Sequence, residues 1–184
     1  MRKVQPNIEE LVTHKYARLR GVTLHYIEAG SGPLVVLLHG FPEFWYAWRN
    51  QIPALVEAGY RVVAPDMRGY NLSSKPRSAH HYRIELLTRD VVELIGHLGE
   101  DRAHIVGHDW GGYVAWATAM RHPQAVNRLA ILNAPHPATF LREVKKPEQL
   151  KKSSYQFFFQ LPYLPERAIA ADDFKMLRAL LSAE

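Results

Sequence analysis

The chain has 184 residues, 47% of them hydrophobic, which suits one globular domain with enough apolar surface for a sizeable core. Its formal net charge is +5, but the basic residues are scattered and the densest cluster, the four lysines at 145–146 and 151–152, is short, so we expect no nucleic-acid partner. The absence of cysteine excludes disulfides, thiolate metal sites and a cysteine nucleophile.

The first half of the chain alternates short apolar runs with turns. Strands are predicted over residues 16–20, 23–29, 34–38 and 61–64, and a helix over residues 45–58 that closes at Gly59. The run at 34–38 is continuously apolar, as in a strand buried on both faces of a parallel sheet, and it is far too short to span a bilayer. Because the N-terminus also lacks the pattern of a signal peptide, we expect a cytoplasmic protein with no membrane contact.

In the second half, helices are predicted over residues 82–98 and 113–121, and strands over residues 104–107 and 128–132. The longer helix has an apolar stripe formed by Leu86, Val91, Leu94, Ile95 and Leu98. This alternation predicts an α/β fold in which helices flank a mostly parallel sheet. After residue 133 no further strand is evident. We therefore interpret residues 1–133 as the N-terminal part of the core and residues 134–184 as the beginning of a helical cap, or lid.

The motif with the most chemical content is Gly107-His108-Asp109-Trp110-Gly111-Gly112, between a predicted strand and a predicted helix. This is the setting of a nucleophile elbow, with aspartate where the serine of G-x-S-x-G stands. The N-terminus of the following helix favours a carboxylate there, which can attack a saturated, polarised carbon and form an ester. Taken alone, such an aspartate is more often a helix cap. The upstream His39-Gly40-Phe41-Pro42, after another strand, makes the nucleophile the better interpretation.

Hydrolysis of such an ester passes through an oxyanion that needs two hydrogen-bond donors. The candidates are the backbone N–H groups of Phe41 and Trp110. We expect His39 and His108 to be structural histidines oriented by backbone hydrogen bonds, and Asp66 to cap the turn that follows its strand. The ten histidines show no metal-ligand spacing, so we expect no metal and no cofactor.

Four segments carry a resemblance to a known family: His39-Gly40-Phe41-Pro42-Glu43, Trp45-Tyr46-Ala47-Trp48-Arg49, Asp66-Met67-Arg68-Gly69-Tyr70 and the segment around Asp109. They resemble the α/β-hydrolase-fold epoxide hydrolases, and the resemblance runs from about His14 to the end of the chain. Haloalkane and fluoroacetate dehalogenases share that fold and the nucleophile. The first two segments and residues 155–162 favour the epoxide hydrolases.

The resemblance implies that Asp109 attacks an epoxide carbon, with Phe41 and Trp110 as the oxyanion donors. It matches Tyr155 to the first of two lid tyrosines that hydrogen-bond the epoxide oxygen and protonate the leaving alkoxide. Without the resemblance, Tyr155 reads as a packing aromatic. In a dehalogenase the Trp110 indole would hold the halide; packing against substrate is the alternative. The substrate should be a small apolar epoxide or halogenated compound, in a pocket that includes His39, Pro42 and Phe158.

The family's mechanism also needs a general-base histidine, its carboxylate partner and a second lid tyrosine. We find none of these in the sequence, since Asn133 and Ala134 stand where some relatives place the acid and His136 lies in a Pro-His-Pro turn. We therefore expect that the C-terminal strands and helices are absent and that a missing C-terminal segment or a second chain completes the enzyme. A homodimer paired through the exposed sheet edge is an alternative. The rival functions are a dehalogenase of the same fold and a truncated, non-catalytic ligand-binding module.

Overall fold

The computed structural model describes residues 7–143, 159, 161 and 163–181. The chain divides into two compact units, Met1–Ala134 and Pro135–Glu184. The regular elements of the first unit are α1 (Ile8–Leu11), β1 (Thr13–Leu19), β2 (Val22–Ala29), β3 (Leu34–Leu38), α2 (Gln51–Glu57), β4 (Arg61–Pro65), α3 (Ile84–His97), β5 (Ala103–His108), α4 (Asp109–Arg121) and β6 (Val126–Leu132). Short 3₁₀ helices occupy Trp45–Trp48, Ala79–Tyr82 and Pro123–Ala125.

The six strands form one sheet in the order β1-β2-β4-β3-β5-β6. The pairs β1–β2 and β2–β4 are antiparallel, and β4, β3, β5 and β6 run parallel to one another. After β3 the chain forms β4 on one side of β3 and then crosses to form β5 on the other side. The strand order therefore reverses beside β3. In open parallel sheets the crevice outside the carboxyl ends of the strands at such a point is where ligands bind.

The core lies on both faces of the sheet. All five residues of β3 are buried. Val36 and Leu38 pack into a cluster with the apolar residues of α3 and α4, whereas Val35 and Leu37 pack into a second cluster that contains Ile52 of α2. Because successive strand side chains point to opposite faces, a continuous apolar run is the pattern that two covered faces require. The prediction for residues 34–38 is confirmed.

Three predicted elements differ from those observed. Residues 45–58 form a 3₁₀ helix followed by the separate α2, not one helix. The last predicted helix begins at Asp109 rather than at residue 113, so it starts directly at the end of β5. In α3 and at its C-cap residue, four residues of the predicted apolar stripe are buried, namely Val91, Leu94, Ile95 and Leu98, whereas Leu86 is only half-buried and Leu87 is buried in its place.

The second unit contains three helices among its described residues: α5 (Pro137–Glu143), α6 (Leu164–Ala170) and α7 (Lys175–Leu181). The predicted helical character of this segment agrees with them. None of the helices in the described ranges combines the length and apolarity needed to cross a membrane.

Candidate active site

Asp109 lies at the junction of β5 and α4, at the carboxyl edge of the parallel strands. Its φ is 48°, in the left-handed region that non-glycine residues rarely adopt. The turn is tightly enclosed. A Cβ added to Gly107 would lie 2.5 Å from the carbonyl oxygen of Gly111, and one added to Gly111 would lie 2.3 Å from that of Leu38. Small residues are therefore required on both sides of Asp109, and its strained backbone is the kind of feature that clusters at functional sites.

The loop after β3 meets Asp109 across the crevice. The backbone N–H of Phe41 donates a hydrogen bond to Oδ1 of Asp109 over 3.0 Å. Gly40 permits this approach, because a Cβ there would lie 2.8 Å from Cβ of Asp109. The sequence placed these two residues on separate loops, 68 positions apart. The strand order brings the two loops together.

Trp110 follows Asp109 in the first turn of α4, where backbone N–H groups have no intrahelical acceptor. Trp110 is 40% exposed, and its indole ring lies parallel to the ring of Tyr113, with centroids 5.4 Å apart and planes 13° apart. Phe41 is 42% exposed at the same end of the sheet. The crevice beside Asp109 is therefore bordered by exposed aromatic side chains.

His39 is fully buried in the loop that carries Phe41. Its Nε2 accepts a hydrogen bond from the backbone N–H of Met67 (3.0 Å), so its proton is on Nδ1, which donates to the carbonyl oxygen of Gly40 (2.8 Å). Burial lowers the pKa of His39, which keeps the ring neutral. The expectation of a histidine oriented by backbone groups agrees with these contacts. Its place in a substrate pocket stays a prediction, since the side chain has no exposed surface.

His108 is oriented differently from the expectation, because its partner is a side chain rather than the backbone. Its Nδ1 lies 3.2 Å from Oε2 of Glu43, and the same oxygen accepts the N–H of Gly40 over 3.0 Å. Glu43 thereby ties the end of β5 to the loop after β3. No role was predicted for Glu43 from the sequence, where its signal was its place at the end of the His39–Glu43 segment that carries the family resemblance.

Asp66 is fully buried immediately after β4. Its carboxylate accepts hydrogen bonds from Nδ2 of Asn71 (2.9 Å) and the N–H of Leu72 (3.3 Å), which agrees with the expected role in the following turn. It also accepts from the N–H of Trp45 (3.1 Å) and lies 2.7 Å from Nδ1 of His25. His25 was missed because it stands inside a strand, 41 residues from Asp66.

The remaining site predictions are placed as follows. Pro42 is half-buried beside Phe41, and their peptide bond is cis. Tyr155 and Phe158 lie outside the described residues, so their roles stay predictions.

Tyr70 packs edge-on against His39 with ring centroids 4.7 Å apart. Burial, and then the negative charge of Asp109, raise the pKa of Tyr70 to about 12, so the phenol keeps its proton. Within the described ranges, no group of three or more histidine, aspartate or glutamate side chains could hold a metal ion.

Comparison with known proteins places this geometry in a family. The sequence family described as alpha/beta hydrolase fold matches residues 33–182. The AB hydrolase superfamily protein YfhM of Bacillus subtilis (strain 168) is 48% identical over 166 residues, covering 89% of this chain and 58% of that protein. Epoxide hydrolase 4 of Homo sapiens is 42% identical over 178 residues, covering 94% of this chain and 49% of that protein. The chain thus spans about half the length of the curated relatives it matches.

Solved structures give the same result. The crystal structure of Bacillus megaterium epoxide hydrolase in complex with an inhibitor superposes with a TM-score of 0.87 at 40% sequence identity, covering 91% of this chain and 59% of that one. Epoxide hydrolase VrEH1 from Vigna radiata superposes with a TM-score of 0.82 at 34% identity, covering 94% of this chain and 55% of that one. The sheet, the elbow and the family match agree, and the chain belongs to the α/β hydrolase fold family.

Proposed function

We propose that this chain carries the nucleophile of an epoxide hydrolase, which opens epoxides to vicinal diols through an alkyl ester on Asp109. The observation that carries the proposal is the hydrogen bond from the Phe41 N–H to Oδ1 of Asp109 at the elbow. The relatives and solved structures named epoxide hydrolases support the substrate class.

The first step forms the ester. Oδ2 of Asp109 accepts no hydrogen bond from any described residue, whereas Oδ1 accepts the N–H of Phe41. Oδ2 is therefore the oxygen available to attack an epoxide carbon. The new C–O bond forms as the ring C–O bond breaks, and the ring oxygen leaves as an alkoxide that must gain a proton. We assign that proton to the phenol of Tyr155, as the family resemblance implies.

The second step hydrolyses the ester. Water adds to the carbonyl carbon of the Asp109 ester, and the negative charge develops on Oδ1. The N–H of Phe41 already points at that oxygen, and the N–H of Trp110, at the start of α4, is the second donor. Collapse of the oxyanion breaks the bond between the carbonyl carbon and the diol oxygen, which takes up the proton that the general base removed from water. The diol leaves, and the carboxyl group of Asp109 loses its remaining proton, which restores the carboxylate and replaces the proton given up by Tyr155.

We assign the general base that activates the water to a region outside the given sequence. His39 uses both ring nitrogens on backbone groups, and Nδ1 of His108 faces Glu43. His39 therefore has no ring nitrogen left to take a proton from water, and we assign no base role to His108. The relatives extend well beyond the length matched here, which supports a base supplied by a further segment or a second chain. We further assign residues 134–184 to a cap and the substrate to small, largely apolar epoxides, given the exposed Phe41 and Trp110.

The test is mass spectrometry of the 184-residue chain after incubation with styrene oxide. Ring opening adds the whole epoxide to the protein, so we expect a mass gain equal to one styrene oxide, located on Asp109 by peptide sequencing. The ester should persist, because its hydrolysis needs the base that we assign to a region outside the given sequence. Asp109→Asn should give no adduct. Asp101→Asn, which changes an exposed aspartate before β5, should react like the parent chain.

A parallel incubation with benzyl bromide separates the rival functions. A carbon–halogen hydrolase would lose bromide and keep only the benzyl group on Asp109. An adduct from the bromide but none from the epoxide would replace the proposal with a dehalogenase. If circular dichroism shows that the chain is folded and neither reagent gives an adduct, a non-catalytic binding module is favoured.

A further inference from the structure

Four titratable side chains from four separate elements form a continuous line from the surface into the core. Oε2 of Glu9 on α1 lies 3.0 Å from Nε2 of His14 on β1. Nδ1 of His14 lies 2.9 Å from Nε2 of His25 on β2. Nδ1 of His25 lies 2.7 Å from Oδ2 of Asp66 after β4. Glu9 and His14 are exposed, and His25 and Asp66 are fully buried. We call these four residues the relay.

The two imidazoles meet edge to edge. Their ring planes are 21° apart and their centroids are separated by 5.1 Å. That separation matches an N···N contact of 2.9 Å extended by about 1.1 Å to each ring centre, which is an in-plane hydrogen bond rather than a stack of faces. The groups form a line and do not surround a point, so they fit proton sharing and not metal binding.

The three contacts fix the number of protons that the relay holds. Each contact joins two atoms that carry lone pairs, so each needs one shared proton, and three contacts need three protons. Two neutral imidazoles between two ionised carboxylates hold only two protons. This count does not depend on which group carries the third proton, because moving it along the line leaves three shared protons. The state in which all three contacts are hydrogen bonds therefore holds one proton more than two neutral histidines do.

The two ends of the line differ in what replaces a lost contact. At the inner end, Asp66 also accepts from the N–H groups of Trp45 and Leu72 and from Asn71, and its carboxylate is fully buried away from solvent. A buried carboxylate deprived of a donor is costly. At the outer end, water can solvate both Glu9 and His14. Loss of the third proton should therefore break the Glu9–His14 contact and leave the inner contacts intact.

We propose that the relay is a proton-dependent latch for α1. With three protons bound, Glu9 fastens α1 to β1. When only two protons are bound, the Glu9–His14 contact is lost, while Asp66 keeps its hydrogen bonds to the loops after β3 and β4. Imidazole is the side chain whose charge ordinarily changes between about pH 5 and 8, which sets the range of the test. The latch goes beyond the proposed reaction and does not depend on Asp109.

The groups that face the relay come from every element packed around it. Tyr16 contacts the His25 ring at a centroid distance of 5.2 Å, and the Trp45 ring meets His14 edge-on at 5.4 Å. Neither carries a charge in this pH range. The charged partners that the structure describes for the two imidazoles are thus Glu9 at one end and Asp66 at the other.

The test is a nitrogen-15 NMR titration of the full chain between pH 5.5 and 8.5, with the imidazole signals assigned by His14→Gln. We expect three of the four ring nitrogens of His14 and His25 to carry protons at low pH and two at high pH. The backbone amides of Glu9, Glu10 and Leu11 should shift with the same midpoint. The amides of Trp45 and Leu72 should not follow it.

Two matched variants on α1 isolate the carboxylate. Glu9→Gln removes the charge opposite His14 and should lower the pH of the transition by about half a unit or more. Glu10→Gln, next to it and bonded only to Asn7 among the described contacts, should leave the transition unchanged. The proposal is overturned by only two protonated ring nitrogens at low pH, by equal transitions in the two variants, or by α1 amides that do not follow the titration. All three readouts are independent of turnover, so they stand apart from the test of the proposed function.

Discussion

Two aspartates occupy equivalent positions in this sheet and have opposite surroundings. Asp66 directly follows β4 and Asp109 directly follows β5, so both lie at the carboxyl edge of parallel strands. Asp66 is fully buried and its carboxylate meets four donors. Asp109 is half-buried, sits at a strained φ of 48° and receives one described hydrogen bond. A carboxylate whose oxygens are all engaged holds loops in place, whereas one with an unengaged oxygen is available for chemistry.

Of the substitutions considered, Asp66→Asn should have the largest effect on stability. The new amide presents an NH₂ group to a site where every partner is a donor, and it removes the charge opposite His25. We expect a loss of about 3–5 kcal/mol in the free energy of unfolding, the range for breaking a buried charged pair. Urea unfolding followed by circular dichroism measures it. Asp101→Asn, at an exposed aspartate, should change stability by less than about 0.5 kcal/mol. Equal effects would show that Asp66 has no special structural role.

The second prediction concerns the enclosure of the elbow. Gly111→Ala places a Cβ 2.3 Å from the carbonyl oxygen of Leu38 and 2.5 Å from that of His39, so the backbone must move. We expect destabilisation of about 1–3 kcal/mol or more, with loss of the styrene oxide adduct. Gly96→Ala is the matched control, since a Cβ there meets no atom within 4 Å and α3 should gain about 0.5–1 kcal/mol. Thermal unfolding distinguishes the two. A stable, reactive Gly111→Ala chain would contradict the enclosed elbow.

The third prediction uses His39, whose loop lies between the two aspartates. Burial lowers the pKa of His39, so the unfolded chain binds its proton more readily than the folded chain. The stability that this contributes is complete above the ordinary histidine range and is lost as pH falls below it. Between pH 7.5 and 5.5, His39 should lower the unfolding free energy of the parent chain by up to about 1.4 kcal/mol per pH unit. The variant His39→Gln should not show this part of the decrease. An unchanged slope in the variant would exclude His39 as its source.

The smallest expected effect on stability is that of Asp109→Asn. Asparagine tolerates positive φ and can still accept the N–H of Phe41 through its amide oxygen. We therefore expect a change within about 0.5 kcal/mol, while adduct formation is abolished. Urea unfolding and mass spectrometry on the same sample test both halves. A loss of stability as large as that of Asp66→Asn would mean that Asp109, too, is chiefly structural.

The predicted elements agreed with the structure where the signal was local. The strand at 34–38 and the order of strands and helices follow from apolar runs and turn residues, which report burial directly. The boundaries were less accurate. The single helix at 45–58 was wrong because the spacing of aromatic and apolar residues does not distinguish a 3₁₀ turn from an α-helix over four residues. The start of α4 was placed late because the glycines after Asp109 weaken the helical pattern.

The sequence by itself determined that a carboxylate follows a buried strand between small residues, and that a loop with a backbone donor follows another such strand. It also determined the α/β class, since the consecutive apolar residues of β3 predict burial on both faces of the sheet. Only the tertiary structure decided which loops meet. The contacts of Phe41 with Asp109 and of His25 with Asp66 join residues 68 and 41 positions apart. They depend on the order of strands in the sheet, which local hydrophobic periodicity does not reveal. The same order leaves Asp109 with an oxygen that no described residue engages and surrounds Asp66 with donors.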